Sequence, residues 1–454
     1  MTGNCSRNIS PDGISGMIFA AEGIKNSITL LNGPMGCRFY HSTTASFLNV
    51  QPVLYMTEEN GQRIPVDYNW LDKWFFRQQR VPSTALDGFD YVYGTAEKVK
   101  EALVFLKNNV NFGIMTIVNS PGASLIGDRL ADIAAEVMPE KTTVVLESPG
   151  FSSDFARGYE EACLTLVKTL AGKQREAENT RAEAGNLPEK KNRPKVNVLG
   201  LSVWDRYFEG DRQEIARILG LAGTDVNCFL AAGCTTEEVE SLPAADLNIV
   251  IDTERALRTA AFMEERFGIP FYACQGLPVG FDAASELAEA VGRICGTSLE
   301  AFRTEEEKTR ALTWYKINSV AKSGGFPTGI PFAVEAPAAR LTGYARFMME
   351  YLGMKPDACA VSGREEPSVR AALVRLFESH HALHCLEKPM EETSAELVFG
   401  DANLIASLST VREDFSGIEI SYPGMGYTDV VPKTHLLLAG GMFLTEQILN
   451  GLMR

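Results

Sequence analysis

The chain has 454 residues, 45% of them hydrophobic and 22% charged, with a formal net charge of −15. This length and composition suffice for the cores of two or three globular domains. The negative charge argues against nucleic acid or an anionic membrane as the main partner, because both require a basic face. No apolar run reaches the roughly 18 residues that a membrane-spanning helix needs. The N-terminus MTGNCSRNIS lacks a signal-peptide pattern, so we expect a cytoplasmic protein.

Short apolar or β-branched runs alternate with helical patterns, which is typical of parallel sheets with crossover helices. The predicted strands are SITLLN (27–32), FDYVYG (89–94), FGIMTIVN (112–119), TTVVLES (142–148), KVNVLGL (195–201), LNIVID (247–252), IPFYAC (269–274), GIPFAVE (329–335), ACAVSG (358–363), AELVFG (395–400) and IEISYP (418–423). The clearest helix is GDRLADIAAEVM, whose apolar residues from Leu130 to Met138 fall on a single face. The predicted fold class is α/β with doubly wound, mainly parallel sheets.

Two segments are expected to separate domains. Residues 171–195 are charged, poor in apolar residues and punctuated by prolines, which is typical of an exposed linker. The stretch KSGGFPTGIP at 322–331 combines glycines and prolines before a new strand. These boundaries predict three α/β domains at residues 1–190, 191–325 and 326–454.

The turn NGPMGCRFYH follows the first strand and presents Cys37. In doubly wound sheets, ligands bind at the carboxyl ends of the strands. Gly33 and Gly36 let the backbone approach a bulky group, and a following helix would favour the thiolate that bonds iron or zinc. A tight structural turn remains the alternative. A nucleophile elbow is disfavoured, because Phe39 stands where that motif needs a glycine.

Two further positions could complete a site at this turn. Cys5 lies in a polar segment where a core cysteine has no reason to be, so it is either a partner of Cys37 or a loose N-terminal residue. Ser120 and Ser124 follow another predicted strand and open the helix GDRLADIAAEVM. Their hydroxyl groups either cap that helix or contact a ligand.

The other cysteines and histidines favour structural roles. The nine cysteines form no Cys-x-x-Cys pair, which indicates a reducing compartment. Burial is expected for four of them: Cys163, Cys228, Cys295 and Cys359. The tract HHALHC (380–385) suggests metal binding but matches no standard zinc spacing, so a turn is favoured. Cys274 either lines a cleft or is buried, and Cys234 precedes a helix capped by Thr235 or Thr236. No phosphate loop of the G-x-x-x-x-G-K-[ST] type occurs, so an ATPase is not expected.

Together, the motifs resemble nitrogenase component 1 and its relatives. These include the iron-molybdenum protein subunits, cofactor-assembly scaffolds, dark-operative protochlorophyllide reductase subunits and the nickel-sirohydrochlorin diamide reductive cyclase. GPMGC is similar to the family's Gly-x-x-Gly-Cys turn, whose cysteine binds the bridging cluster. The other similar segments, in the family's order, are YGTAEKVKEAL with SLIGDRL, VNVLGL, GLAGTDVNCFLAAGCTTEEVESLPAADLNIVI, FGIPFYACQGLPVGFDAASELAEAV, AELVFGDANLIASL and IEISYPGMGYTDVVPKTHLLLAGGMFLTEQILNGL.

The resemblance implies three Rossmann-like domains around a central cleft and an iron–sulfur cluster at a subunit interface. The partner subunit would be a second copy or a paralogue, in a homodimer, a heterodimer or a tetramer, and a separate ATP-hydrolysing iron protein would deliver electrons. Cys37 is implied as a cluster ligand and Cys5 as the second. Gly33, Gly36 and Ser120 would surround the cluster. A second metal or a tetrapyrrole cofactor is left open.

Several positions depart from the family pattern. Pro11 or Asp12 stands at the family's first cysteine position, and Ser120-Pro121 stands where the third is expected. Two thiolates per subunit would still hold one [4Fe–4S] cluster in a homodimer, because four cysteines suffice. The cofactor cysteine and histidine positions of the α subunit fall near Ile251 and Thr428, where neither ligand type is present. We therefore expect not a nitrogenase proper but a nitrogenase-like oxidoreductase that takes low-potential electrons and reduces an unidentified substrate. The alternatives are a cofactor-assembly scaffold and a cluster-free relative that binds a small ligand.

Overall fold

The computed structural model describes residues 11–35, 54–59, 62–67, 81–147, 153–171, 193–324, 327–363, 365–422 and 429–453. The chain forms two compact units. The N-terminal unit comprises Pro11–Glu189 and Cys228–Pro243, and the C-terminal unit comprises Met1–Ser10, Lys190–Asn227 and Ala244–Arg454. The division into three domains stays a prediction. No helix in the described ranges is long and apolar enough to cross a membrane.

The described elements alternate between strands and helices. The strands are β1 (Ser27–Asn32), β2 (Leu54–Glu59), β3 (Gln62–Asp67), β4 (Ile114–Asn119), β5 (Thr142–Glu147), β6 (Lys195–Leu199), β7 (Asp225–Phe229), β8 (Leu247–Val250), β9 (Phe271–Ala273), β10 (Pro331–Ala336), β11 (Lys355–Val361), β12 (Leu397–Gly400) and β13 (Ser416–Glu419). The α-helices are α1 (Gly13–Glu22), α2 (Asp90–Tyr93), α3 (Ala96–Asn109), α4 (Pro121–Ser124), α5 (Leu130–Val137), α6 (Phe155–Leu170), α7 (Phe208–Leu221), α8 (Thr236–Glu240), α9 (Thr253–Phe267), α10 (Gly280–Cys295), α11 (Glu300–Gly324), α12 (Ala338–Arg346), α13 (Pro367–Ser379), α14 (Ala402–Ser409) and α15 (Leu437–Leu452). A π-helix (Phe347–Tyr351) and short 3-10 helices (Leu242–Ala244, Leu383–Leu386, Met390–Glu392) complete the set.

The N-terminal unit is built on a parallel sheet of strand order β1-β4-β5. Both β1 and β4 are buried along their whole length, which is typical of parallel strands covered on both faces. A hydrophobic core joins these strands to α3 and α5. The predicted apolar face of α5 is confirmed, because Leu130, Ala134 and Met138 are all buried. Helices α1 and α6 pack so closely that a Cβ at Gly16 would lie 2.1 Å from the carbonyl oxygen of Phe155.

The C-terminal unit contains two sheets, with strand orders β7-β6-β8-β9 and β11-β10-β12-β13. The pairs β6-β8, β8-β9, β10-β11, β10-β12 and β12-β13 are all parallel. In each sheet the chain moves outward in both directions from its first strand, which is the pattern of a doubly wound fold. The predicted α/β fold class is therefore confirmed.

One predicted strand is wrong. FDYVYG forms the helix α2, although its aromatic and β-branched residues favour a strand. The cause is the preceding Asp87, whose carboxylate accepts hydrogen bonds from the backbone amides of Phe89 (2.8 Å) and Asp90 (3.3 Å). The Asp90 carboxylate accepts in return from the amide of Asp87 at 2.7 Å. This reciprocal pair acts as a capping box and starts a helical turn.

Three strands were not predicted from the sequence. Strands β2 and β3 form an antiparallel pair, for which the dipeptide NG at 60–61 is a hairpin signal. Strand β7 has a mixed sequence, DVNCF, without a clear apolar pattern. The predicted strand IEISYP is displaced, because β13 begins at Ser416 and ends at Glu419. The predicted linker at 171–195 lies mostly outside the described residues.

Candidate functional site

Two predicted site residues, Gly33 and Ser120, meet at the carboxyl edge of the β1-β4-β5 sheet. The backbone amide of Ser120 donates a hydrogen bond to the carbonyl oxygen of Asn32 at 2.9 Å. A Cβ at Gly33 would lie 2.9 Å from both Cβ and Oγ of Ser120, so no larger residue fits there without movement. Cys37, Gly36 and Cys5 lie outside the described residues.

This edge is also the switch point of the sheet. Ser83 forms a parallel bridge with Leu31 on one side of β1, whereas β4 pairs with β1 on the other side. The chain therefore leaves β1 in one direction and returns on the opposite side at β4. Ligands of open α/β sheets bind at the carboxyl ends of the strands at such a point. The Gly33–Ser120 contact lies there.

Ser120 acts as the N-cap of α4 rather than of α5, which corrects the expectation that it opens the helix GDRLADIAAEVM. Its hydroxyl group accepts a hydrogen bond from the amide of Ala123 at 3.4 Å, and its side chain is buried. The helix α4 ends at Ser124, and α5 begins only at Leu130. Ser120 therefore caps a helix, although not the helix that was predicted.

A network of buried side chains, centred on Asn32, lies at this edge of the sheet. Its Oδ1 accepts from the hydroxyl group of Thr84 at 3.0 Å. Its Nδ2 donates to Thr95 Oγ1 at 3.1 Å and to Asn119 Oδ1 at 3.0 Å. These four residues are at most 8% exposed, so their polar groups are satisfied by each other rather than by bulk water.

Two carboxylates end the network. Asp128 accepts from the amide and the hydroxyl group of Thr95 at 2.6 and 2.8 Å. Glu147 accepts from Asn119 Nδ2 at 2.8 Å and from the hydroxyl group of Ser124 at 2.7 Å. Hydrogen bonds to charged acceptors are stronger than those between neutral groups. The ends of β1, β4 and β5 are thus fixed relative to α3 and α4.

Exposed apolar side chains lie around this edge, and we call them the apolar rim: Met35, Phe89, Val92, Tyr93 and Leu125. Their exposed fractions range from 59% for Met35 to 85% for Leu125. The rings of Phe89 and Tyr93 pack together with centroids 4.3 Å apart. A Cβ at Gly122 of α4 would lie 2.9 Å from the ring of Tyr91, which shows how closely α2 packs on α4.

The C-terminal unit carries a buried cluster of charges that follows the strands β6, β8 and β10. Asp205 accepts from Arg255 at 2.7 Å and also from Arg340. Asp252 lies 3.6 Å from Arg255 and 3.8 Å from Arg340. Burial alone would raise the pKa of Asp205, but Arg255 and Arg340 outweigh it and hold that pKa below its usual value. These side chains are therefore mutually paired ions.

A second buried group lies at the start of α15. The hydroxyl group of Tyr344 lies 2.8 Å from His435 Nδ1, and His435 Nε2 lies 2.5 Å from Oε1 of Gln447. Burial lowers the pKa of His435 to about 4, so the imidazole is neutral near pH 7. Burial raises the pKa of Asp211 to about 8, and its carboxyl group accepts from Thr434 at 2.6 Å. These buried residues have no local sequence signal.

Beside this group is a polar cavity of about 260 Å³. Its lining includes the ion pairs that Arg206 forms with Glu419 and Asp429, and the rings of Tyr207 and Phe443. The two rings are T-shaped with centroids 5.8 Å apart. Lys433, which also lines the cavity, lies 3.0 Å from Asp429, so two cations and two carboxylates make a charge-balanced wall.

The remaining sequence candidates have structural roles in the described residues. Cys385 Sγ lies 3.2 Å from the carbonyl oxygen of Pro356, and no group of three or more His, Cys, Asp or Glu residues in the described ranges could hold a metal ion. Cys274 is buried beside a small cavity, and burial raises the pKa of its thiol to about 12. Thr235 caps α8 in a capping box, which was one of the two predicted alternatives.

Burial is confirmed for Cys163, Cys228 and Cys359, but Cys295 is only half-buried. The described residues therefore offer no donor set for a second metal.

Comparison with known families agrees with this architecture. The family model described as nitrogenase component 1 type oxidoreductase matches residues 13–453. The chain belongs to this family of oxidoreductases, and the resemblance inferred from its motifs is confirmed.

The similar proteins are subunits of light-independent protochlorophyllide reductases and a nitrogenase. The reductase subunit from Prochlorococcus marinus (strain NATL1A) is 26% identical over 350 residues, which is 76% of this chain and 62% of that protein. Its counterpart from Synechococcus sp. (strain CC9311) is 29% identical over 350 residues, covering 76% and 63%. The chain thus spans about three fifths of the length of these curated relatives. The solved structure of nitrogenase Cp1 at pH 6.5 matches with a TM-score of 0.75 at 15% identity, over 98% of this chain and 93% of that one. At this identity the match shows the fold alone.

Proposed function

We propose that the chain is the substrate-reducing subunit of a two-component, nitrogenase-like oxidoreductase. An iron–sulfur cluster, [4Fe–4S] in type, binds to Cys37 and Cys5 at an interface between two such subunits. A separate ATP-hydrolysing iron protein supplies the electrons. The observation that carries the proposal is the packing of Gly33, the first residue of the Gly-x-x-Gly-Cys motif, on Ser120 at the switch point of the first sheet.

The described part of the edge is compatible with this role. The tight Gly33–Ser120 contact leaves no bulky side chain at the switch point. The network of Asn32, Thr95 and Asn119 holds the strand ends in place with buried hydrogen bonds. When bound, the cluster would supply one-electron transfer at a low potential, which hydrogen bonds and burial tune. The residues of this edge would therefore orient the cluster, whereas the two cysteines would bind it.

The apolar rim supports the proposal that a partner docks at this edge. Large apolar side chains that lie exposed beside a polar network are typical of a protein interaction surface. Tyr93 and Phe89 offer rigid aromatic contact area, and aromatic residues are enriched at the centres of interfaces. Docking at the rim would bring the electron donor next to the turn that carries Cys37.

The substrate class we propose is an organic molecule with an unreactive double bond or a conjugated ring. The names of the similar proteins describe reductases of protochlorophyllide, which is such a molecule. In the C-terminal unit, Arg206 is paired with Glu419 and Asp429 beside the polar cavity. A charge-balanced wall with aromatic rings suits a flat substrate that carries polar substituents.

The experiment is EPR spectroscopy of the full chain, purified anaerobically and reduced with dithionite. We expect the signal of a reduced iron–sulfur cluster in the wild type and its loss in Cys37→Ala and in Cys5→Ala. Cys295→Ala is the control, because Cys295 is half-buried at the end of α10 and has no proposed ligand role. An undiminished EPR signal in Cys37→Ala would contradict the proposal that Cys37 binds the cluster. Transfer of the iron to an acceptor protein, without substrate turnover, would instead support an assembly scaffold.

A further inference from the structure

His435 is buried just before α15, and both of its ring nitrogens have partners. Its Nε2 lies 2.5 Å from Oε1 of Gln447, an oxygen that only accepts, so Nε2 carries the proton. Nδ1 then holds a lone pair, to which the hydroxyl group of Tyr344 donates at 2.8 Å. The orientation of the Gln447 amide thus assigns His435 as the neutral Nε2–H tautomer, which binds the amide oxygen.

Aromatic packing holds the imidazole ring of His435 in place. Its centroid lies 4.7 Å from the ring of Tyr207 and 5.4 Å from that of Phe443. The ring of Tyr344 meets it at an interplanar angle of 87°, with centroids 5.6 Å apart. A Cβ at Gly440 would lie 2.1 Å from the carbonyl carbon of His435, so α15 also packs closely against this backbone. The imidazole is therefore held in one position.

Gln447 belongs both to this buried group and to the polar cavity that it lines. Because its oxygen is bound by His435, its amide nitrogen offers two N–H donors. Burial raises the pKa of the Tyr207 hydroxyl group, and Arg206, together with a hydrogen bond from Gln447, opposes that rise. One N–H thus serves Tyr207, which leaves the second N–H for a ligand in the cavity.

The charged groups of the cavity are engaged with each other. Arg206 pairs with Glu419 and, at 3.1 Å, with Asp429, and Lys433 pairs with Asp429 at 3.0 Å. A ligand that drew on these ions would have to break their pairs, which is costly where the charges are buried. The amide of Gln447 can donate without breaking any of them. Recognition of a polar substituent therefore falls to this neutral group.

The cavity fits one edge of a ring better than a whole large ligand. Its volume of about 260 Å³ lies just below the range typical of pockets that enclose small organic ligands, roughly 300–1,000 Å³. The rings of Tyr207 and Phe443 supply aromatic surface inside it, whereas Asn450 is an exposed residue of its wall. A flat ring would thus enter with one substituted edge and project outward beside Asn450.

We infer that Gln447 is a specificity-determining residue of this cavity: its amide N–H donates to a carbonyl or carboxylate oxygen on the edge of the substrate ring. His435 is the positioning residue that holds the amide in that direction. The inference rests on the proposed function for the substrate class, a conjugated ring with polar substituents. It does not depend on the iron–sulfur cluster.

Glutamate has the shape of glutamine but reverses this recognition. Gln447→Glu still offers an oxygen to His435 Nε2, while a second carboxylate oxygen replaces the N–H donors. An acceptor oxygen of the ligand then meets another acceptor. A site that donates a hydrogen bond discriminates strongly against such a mismatch, because buried polar groups are left unpaired. Asn450→Asp is the matched control, because it brings the same change of charge to an exposed residue of the same cavity.

The test is fluorescence titration of the full chain, purified without oxygen, with two porphyrin probes. Protoporphyrin IX carries two carboxylates, whereas etioporphyrin carries only alkyl groups. We expect the dissociation constant of protoporphyrin IX to rise at least about tenfold in Gln447→Glu and to stay close to the wild-type value in Asn450→Asp, with that of etioporphyrin unchanged in both. No binding of protoporphyrin IX to the wild type, an unchanged constant in Gln447→Glu, an equal loss in Asn450→Asp or a parallel loss for etioporphyrin would overturn the inference.

A pair of His435 variants tests its positioning role. His435→Phe keeps an aromatic ring but removes the donor to Gln447, whereas His435→Gln retains an N–H donor. We expect protoporphyrin IX to bind more weakly to His435→Phe than to His435→Gln, with equal etioporphyrin binding in both. Equal affinities of the two variants for protoporphyrin IX would contradict the positioning role.

Iron analysis of the same preparations separates this inference from the proposed function. An iron-free wild type in which Gln447→Glu weakens protoporphyrin IX binding as expected would contradict the cluster and support the role of Gln447. A chain that holds iron, but binds protoporphyrin IX equally well with and without Gln447→Glu, would support the cluster and overturn the inference.

Discussion

Asn32 Nδ2 lies 3.1 Å from Thr95 Oγ1, although 63 residues separate them. Thr95 in turn donates its amide and hydroxyl group to Asp128, a further 33 residues along the chain. These residues belong to or adjoin three motifs of the sequence: the strand before GPMGC, YGTAEKVKEAL, and SLIGDRL. Segments that are distant in the chain thus meet at one sheet edge, in a buried network that no single motif reveals.

Gly33→Ala is expected to destabilise the protein. The new Cβ would lie 2.9 Å from Ser120, and overpacking of this kind typically costs about 1–3 kcal/mol. Ser120→Gly in the same chain should restore much of the loss, because it removes both atoms that clash. Urea unfolding measures this effect. The control is Gly220→Ala, where no atom lies within 4 Å of the added Cβ; equal losses in both variants would show that the Gly33–Ser120 contact is not the cause.

Asp128→Ala is expected to loosen the start of α3. The substitution leaves the amide and hydroxyl group of Thr95 without their acceptor, and loss of such a cap costs about 0.5–2 kcal/mol. Amide hydrogen exchange should therefore accelerate in Ala96–Asn109. Asp132→Ala is the comparison, because Asp132 forms an exposed ion pair with Arg129. Unchanged exchange in α3 after Asp128→Ala would contradict this role.

Removal of one partner from the buried ion cluster is expected to be costly. Arg340→Met leaves Asp205 with one fewer cation, and breaking a buried pair typically costs about 3–5 kcal/mol. The double variant Arg340→Met with Asp205→Asn should lose less than the sum of the two single variants. Thermal unfolding at neutral pH measures all three. Strict additivity would show that the two side chains do not interact.

The depressed pKa of Asp205 predicts how the stability of the protein changes with pH. Its folded-state pKa is depressed, so its contribution to stability is present above the unfolded pKa and is lost as the pH falls through the lower, folded value. Asp205→Asn should therefore flatten the loss of stability below about pH 4, the usual pKa of an aspartate. Urea midpoints between pH 5 and pH 3 test this. A slope identical to that of the wild type would contradict the assignment.

Asp211 is expected to change the stability of the protein with pH in the opposite direction. Burial raises its pKa to about 8, so its contribution is fully present below the unfolded pKa and is lost as the pH rises through the folded one. Asp211→Asn keeps an oxygen acceptor for Thr434 and removes the ionisation. We expect the stability of the wild type, relative to this variant, to decline between pH 5 and pH 9. A constant difference across that range would show that Asp211 does not carry a raised pKa.

The sheets could be predicted from the sequence better than the buried hydrogen-bond network around Asn32. Continuous apolar runs define β1 and β4, because strands buried on both faces need them. The helix α2 was misjudged because the reciprocal hydrogen bonds between Asp87 and Asp90 outweigh the strand preference of its aromatic residues. The roles of Asn32 and Asp128 were not predicted, because their partners are brought close only by the topology.

The candidate site could be predicted in part. The motif GPMGC and the family resemblance drew attention to Gly33 and Ser120, which do meet. The paired charges of Asp205 and Arg340 lie 135 residues apart and have no local signal. The roles of Cys37, Cys5 and Gly36 stay predictions, because those residues lie outside the described part of the chain.

Iron and acid-labile sulfide per chain, in the wild type and in Cys37→Ala purified side by side without oxygen, test the central claim most directly. One four-iron cluster shared by two chains predicts about two iron atoms and two sulfides per wild-type chain, and close to none in Cys37→Ala. Cys295→Ala should match the wild type. Equal iron and sulfide in the wild type and in Cys37→Ala would contradict the account.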